Sequence, residues 1–213
     1  MSRKLELLRL MNIDISWMKS PTLSKDTLIS LESLELDAKN CFNCDLSKTR
    51  NKVVFGSGSK TSKILLIGEA PGKDEDQSGK PFVGRAGKLL DEIFFSIGFS
   101  RENVYITNTV KCRPPDNRNP NSSEITACSN FLDNQIDLIS PDIIILLGKV
   151  AAERLLNTSE PMSSLRGKVH SYRDTDIPVL VFYHPAYLLR SPGEKKKVWE
   201  DILFMRSITN VSQ

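Results

Sequence analysis

The apolar residues of this chain fall in short unbroken runs, separated by longer stretches with helical spacing. Ile64-Leu65-Leu66-Ile67 is one such run and Ile143-Ile144-Ile145-Leu146-Leu147 another. Runs this short, bounded by glycine and polar residues, predict strands over 63–68, 103–110, 142–147 and 178–183. Each is followed by a stretch with apolar residues at helical spacing, which predicts helices near 85–98, 122–138, 148–156 and 194–207. A further helix is predicted over 24–39, with Ser24 as N-cap and Leu28, Leu31, Leu34 and Leu36 nearly on one face. Val53-Val54-Phe55, before Gly56, reads as a short edge strand. Strand and helix alternate four times. The pattern implies an α/β fold of three layers, with a mostly parallel four-stranded central sheet covered on both faces.

In such sheets ligands bind beyond the carboxyl ends of the strands. The unusual stretches of this chain sit there. Residues 68–87, GEAPGKDEDQSGKPFVGRAG, carry five glycines, two prolines and four acidic residues between a core strand and a core helix. A loop this long is more often functional than a passive connection. Asn108 ends the second strand, Gly148-Lys149 follows the third, and His184-Pro185-Ala186 follows the fourth. The loop is not a Walker phosphate loop, because Gly79-Lys80 is followed by Pro81 and the position five before Gly79 is Asp74. Glu69, Asp74, Glu75 and Asp76 together with Phe82 suit a planar polar ligand such as a nucleic-acid base. Core packing for Phe82, and a solvated loop for part of the acidic run, are the plainer alternatives.

At 213 residues the chain has enough for one sizeable core, and its 39% hydrophobic and 26% charged content is ordinary for a globular protein. A net charge of +3 leaves any nucleic-acid role to local patches. No stretch approaches the roughly 20 apolar residues of a membrane span, and Glu6, Arg9 and Asp14 interrupt anything like a signal peptide. A cytoplasmic, bacterial-type setting is expected. There, Cys41-x-x-Cys44 with Cys112 and Cys128 points to a metal site. Four thiolates suit zinc or an iron–sulfur cluster, and spacing alone does not separate the two. Residues 1–21 form an N-terminal extension closed by Ser20-Pro21, and 22–213 a single domain. The extension reads either as a helix on the domain or as a tethered partner-binding peptide.

Taken in order, Gly68-Glu69-Ala70-Pro71-Gly72, Gly79-x-Pro81-Phe82-Val83-Gly84-x-Ala86-Gly87, the four cysteines and His184-Pro185-Ala186 closely resemble the family 4, iron–sulfur class of the uracil-DNA glycosylase superfamily. The resemblance covers about residues 40–205. It implies a uracil-DNA glycosylase-like fold, with a [4Fe–4S] cluster on Cys41, Cys44, Cys112 and Cys128. It also implies hydrolysis of the bond between uracil and deoxyribose in single- or double-stranded DNA, as in base-excision repair. Phe82 is expected to stack on the flipped base, Asn108 to read its N3–H and O4, and His184 to donate to O2. Ala70 and Gly72 are expected to line the pocket through the turn at 69–72. The superfamily's best-known members place an aspartate where this chain has Ala70, so water activation is expected of Glu69 or Glu75. Leu188 or Leu189 is expected to wedge into the duplex, and Arg190, Lys111, Arg113, Arg118 and Lys195–Lys197 to meet DNA phosphates. Leu10–Trp17 is similar to the N-terminal peptide of the psi subunit of the bacterial clamp loader, which implies a replication or repair partner for residues 1–20. The alternatives are a uracil-DNA-binding module with little hydrolysis, because of Ala70, or a glycosylase for another deaminated base such as hypoxanthine.

Overall fold

A computed structural model describes residues 30–208. The expected extension 1–21, and the start of the helix expected over 24–39, lie outside them. Within the described residues, Leu31–Ile208 belong to one unit.

Four parallel strands make the centre: β2 (Ile64–Gly68), β3 (Val104–Asn108), β4 (Ile143–Leu147) and β6 (Pro178–Phe182). Among the described residues the sheet has six strands rather than four. β1 (Ser57–Gly58) pairs antiparallel outside β3, and β5 (His170–Ser171) antiparallel outside β6, in the order β1-β3-β2-β4-β6-β5. The edge strand expected at 53–55 therefore lies two residues further on. Val54 is instead buried, and its N–H donates to the Lys111 carbonyl at 2.8 Å.

The strands are apolar on both sides because both sides are covered. Leu65, Ile67, Ile144, Leu146, Val179 and Val181 face one layer. That layer is built from α1 (Leu31–Lys39), α5 (Ser122–Ile139) and α6 (Lys149–Leu156). Ile64, Leu66, Ile143, Ile145, Leu180 and Phe182 face the other, built from α4 (Arg85–Phe95) and α9 (Lys195–Ile208). The alternation follows from the two-residue period of a strand. Among the described residues there are four further short helices: α2 (Leu46–Thr49), α3 (Lys73–Ser78), α7 (Met162–Leu165) and α8 (Pro185–Arg190). Among the described residues no helix is long and apolar enough to cross a membrane.

The chain order puts β3 on one side of β2 and β4 on the other. The direction of winding therefore reverses at β2, and a crevice opens beyond its carboxyl end. Gly68 pairs with Asn108, and Leu147 with Phe182, so the last residues of the four strands reach the same edge.

Candidate functional site

A cavity of about 460 Å³ lies at that edge. Glu69, Ala70, Gly72, Glu75, Phe82, Asn108, His184 and Arg190 all line it, together with Arg118. The two loops singled out in the sequence therefore form one site. Its size is that of a small-ligand pocket, and polar and charged side chains line it as much as apolar ones do.

Asn108 is the best-defined element. Its side chain is 1% exposed, and its Oδ1 is buried without a hydrogen-bond partner. A buried unpaired acceptor costs about 1–3 kcal/mol, so this atom is held ready for a donor from outside. Gly68 makes room for it. A Cβ there would lie 2.4 Å from Asn108 Oδ1 and 2.6 Å from Phe82 Cζ. The amide and the ring thus meet above a backbone that only glycine leaves bare.

Phe82 adopts φ 53°, a left-handed conformation that costs a bulky residue energy. Arg101 supports it. Its guanidinium donates to the carbonyls of Pro81, at 3.0 Å, and of Phe82, while its Nε pairs with Asp91 at 2.8 Å. The ring stands 5.6 Å from the His184 ring, tilted by 31°.

His184 caps α8. Its Nδ1 accepts from the Ala186 N–H at 3.1 Å, so in the neutral form the proton resides on Nε2. Burial, helped by the charge of Arg190, pushes its pKa down to about 4. The side chain is a neutral donor at physiological pH. Gly148, at φ +94°, lets it approach, since a Cβ there would lie 3.0 Å from the His184 Cβ.

The two carboxylates differ. Glu69 lines the cavity, and burial, with a smaller push from Glu153, raises its pKa. Its backbone is fixed by Thr109 Oγ1 and the Val110 N–H, both donating to its carbonyl. Glu75 is occupied. It accepts from the N–H groups of Gly72 at 3.1 Å and of Val83 and Gly84 at 2.9 Å. This corrects the expectation that Glu75 activates water: it ties the loop's two ends together across α3. Glu75→Ala would strand those amides, so stability should fall by about 2–3 kcal/mol and the melting temperature by about 4–12 °C, as calorimetry would show. Gly72 lines the cavity, but Glu75 takes its amide. Pro71 has none, so an oxyanion donor from this turn must come from Glu69 or Ala70.

Two expected DNA contacts are corrected. Lys111 is 1% exposed, and its ammonium donates to Thr107 Oγ1, the Asn108 carbonyl and Gln135 Oε1. It faces inward and meets no phosphate. Leu188 is fully buried against the sheet, which leaves Leu189, 36% exposed, as the only one of the pair facing outward. Arg190 is exposed at the cavity rim. Arg113 is half-buried, and its Nε donates to Asn117 at 2.8 Å. Arg118 forms a two-pronged pair with Glu124, at 2.9 and 2.6 Å, and still lines the cavity. Pro114, Asn117 and Asn119 also line it and carry no sequence signal that would have singled them out; Tyr187, from the segment after His184, lines it too.

The four cysteines line one small cavity, beside Arg50, Ala38 and Phe131. Arg50 Nη1 donates to Cys112 Sγ at 3.1 Å, and the Lys111 N–H to Cys128 Sγ at 3.4 Å. Burial pushes the Cys128 thiol up to about 11 and raises that of Cys112. Among the described residues, no three His, Cys, Asp or Glu side chains are grouped closely enough to hold one metal ion. Val110 and Cys128 pack beside Ala70 and Ile125, so this cavity adjoins the base of the site.

Residues 55–203 match the family model described as the uracil DNA glycosylase superfamily. The chain is 41% identical to a type-4 uracil-DNA glycosylase of Archaeoglobus fulgidus, over 81% of this chain and 89% of the relative. It is 44% identical to one of Sulfurisphaera tokodaii, over 84% of both chains. It is 41% identical to one of Thermotoga maritima, over 81% of this chain and 91% of the relative.

Proposed function

The chain belongs to the uracil-DNA glycosylase superfamily, among its type-4 members, and from that premise we propose that it removes uracil from DNA by hydrolysing the N-glycosidic bond. The observation that carries this reading is Asn108 Oδ1, an orphaned acceptor at the floor of a cavity walled by Phe82 and His184. Uracil offers an N3–H to that acceptor and an O4 to the amide's NH₂. Cytosine presents the opposite pattern, an acceptor at N3 and a donor at C4, and leaves the site's buried groups unpaired.

The reaction follows from the same parts. The base must leave the duplex to reach the cavity, which costs a few kcal/mol of stacking and pairing. Phe82 covers its face. As the bond from N1 to C1′ breaks, its electron pair passes into the uracil ring, and charge grows at O2 and O4. The Nε2–H of neutral His184 donates to O2, as an oxyanion-hole donor does. Water adds to C1′ of the cationic sugar, and Glu69 takes the proton the water loses. Leu189 stands at the surface for the space left in the stack, and Arg190 and Arg118 for the backbone. High-performance chromatography of the reaction tests the proposal. Free uracil should appear with one abasic site per uracil consumed, and intact oligonucleotide alone would refute it.

Glu69→Gln keeps the shape and loses the base. Turnover should fall at least about tenfold with DNA affinity near normal. Protonation of Glu69 should also set an acid limb in the rate profile, absent in the variant. Wild-type rates, or an unchanged acid limb, would remove Glu69 from the mechanism.

The same reading gives Cys41, Cys44, Cys112 and Cys128 a [4Fe–4S] cluster. Four cysteines about one cavity, with N–H donors aimed at two of the sulfurs, fit that group, because thiolates are stabilised by such hydrogen bonds. Zinc–sulfur bonds of about 2.3 Å would draw four thiolates into a tighter tetrahedron. Once bound, the cluster supplies a structural clamp. It would join the segment after α1 to the chain leaving β3, which runs on to Pro114, Asn117 and Arg118 at the cavity. DNA is the partner this reading supports, and an intracellular setting goes with it. A replication partner for residues 1–20 rests on the sequence alone.

A further inference from the structure

Lys111 is an anomaly in this core. Among the described residues it is one of the largest fully buried side chains, and its ammonium donates to three neutral acceptors, with Cys128, Cys112 and Asp133 as the charges that act on it. Burying a charge is costly unless it is paired and hydrogen-bonded. A methionine of nearly the same length would fill the space without that cost. The three acceptors show what the charge does. Nζ donates to Thr107 Oγ1 at 2.7 Å, to the Asn108 carbonyl at 2.8 Å and to Gln135 Oε1 at 2.6 Å. Thr107 and Gln135 are themselves anchored on the Phe55 carbonyl, at 2.8 and 3.0 Å.

Asn108 stands where the β2–β3 ladder ends, with Gly68 as its last partner. Its side-chain oxygen has no partner that would orient it. The backbone of Asn108 must therefore set the amide's direction, and Lys111 is what grips that backbone. The other end of Lys111 is tied to the cysteine cavity. Its N–H reaches Cys128 Sγ, its neighbour is Cys112, and its carbonyl receives the Val54 N–H. We infer that Lys111 is a positioning residue that aims the base-reading amide of Asn108 and couples its placement to the cysteine site. This rests on the reading of Asn108 as the uracil-reading group.

The test is a double-mutant cycle under single-turnover conditions, with iron content and melting temperature measured for every protein. Lys111→Met should keep its iron and its affinity for uracil-free DNA. Its rate on uracil-DNA should fall about 10–100-fold, the scale of a misplaced reacting group. In the Asn108→Ala background the same change should cost less than about threefold, because there is no amide left to aim. Gln135→Met, which lies outside both the cavity and the cysteines, should show the same pattern with a smaller loss. It carries the test if Lys111→Met does not hold iron. Equal losses in both backgrounds would overturn the inference, as would wild-type rates in the iron-replete variants or loss of iron from both. If Asn108→Ala alone is as active as wild type, it is the reading of Asn108 that fails, and the cycle shows which of the two has done so.

Discussion

Asn108→Ala should lower the rate of uracil release by about 10²–10³-fold, the loss typical of removing one donor that acts on developing charge. In the proposed complex the Asn108 NH₂ would face O4, one of the two oxygens on which charge collects, while Oδ1 would hold N3–H and fix the ring. Both contacts vanish together. Stability should move the other way. The wild-type chain carries an unpaired buried acceptor at this position, and deleting it removes a cost of about 1–3 kcal/mol, set against the small void left behind. The melting temperature should therefore hold or rise while activity collapses, a pairing that marks a residue kept for function. Single-turnover kinetics and calorimetry on the same preparation check it. A lower melting temperature with only a modest rate loss would make Asn108 a structural residue.

His184→Ala should cost a similar 10²–10³-fold, but it needs a control. The imidazole also accepts the Ala186 N–H at the start of α8. Its loss therefore removes a helix cap, at about 1 kcal/mol. His184→Asn restores a capping acceptor and leaves the pocket without Nε2–H. It should recover the melting temperature and not the rate. The pH behaviour separates this residue from Glu69. With a pKa near 4, His184 stays neutral throughout the working range, so it adds no limb to the rate profile above about pH 5. Its effect on stability has a definite sign. The folded pKa lies below the ordinary 6.5, so the unfolded chain takes up the proton first as pH falls. Stability at this residue is thus lost on going from about pH 6.5 down towards 4, and His184→Asn should flatten that slope. An unchanged slope would mean that the imidazole is solvated in the folded state.

The four central strands were legible to within two residues, because burial on both faces leaves an uninterrupted apolar run. The edge strands were not. Ser57–Gly58 and His170–Ser171 are two residues each, too short to show an alternation. α3 was read as acidic loop, although Gly72 before it, Glu75 at its third position and Gly79 at φ +79° after it are helix boundary signals. The residues that line the cavity were found through their positions at strand ends, where a long glycine-rich loop and a His-Pro have little structural reason to be. Lys111 could not be read this way. A lysine between a strand and a Cys-Arg-Pro-Pro segment looks like surface, and only the fold brings Thr107, Asn108 and Gln135 around it. Leu188 and Leu189 are equally alike in sequence, and the register of α8 alone decides which is buried.

The central claim is that this cavity recognises uracil and cuts its glycosidic bond. It is tested most directly with end-labelled single-stranded and duplex DNA carrying uracil, cytosine or thymine at one position, incubated with the protein and then treated with alkali. The account predicts strand breakage at uracil alone, lost in Asn108→Ala. Tight uracil-dependent binding without breakage, or breakage equally at cytosine, would contradict it.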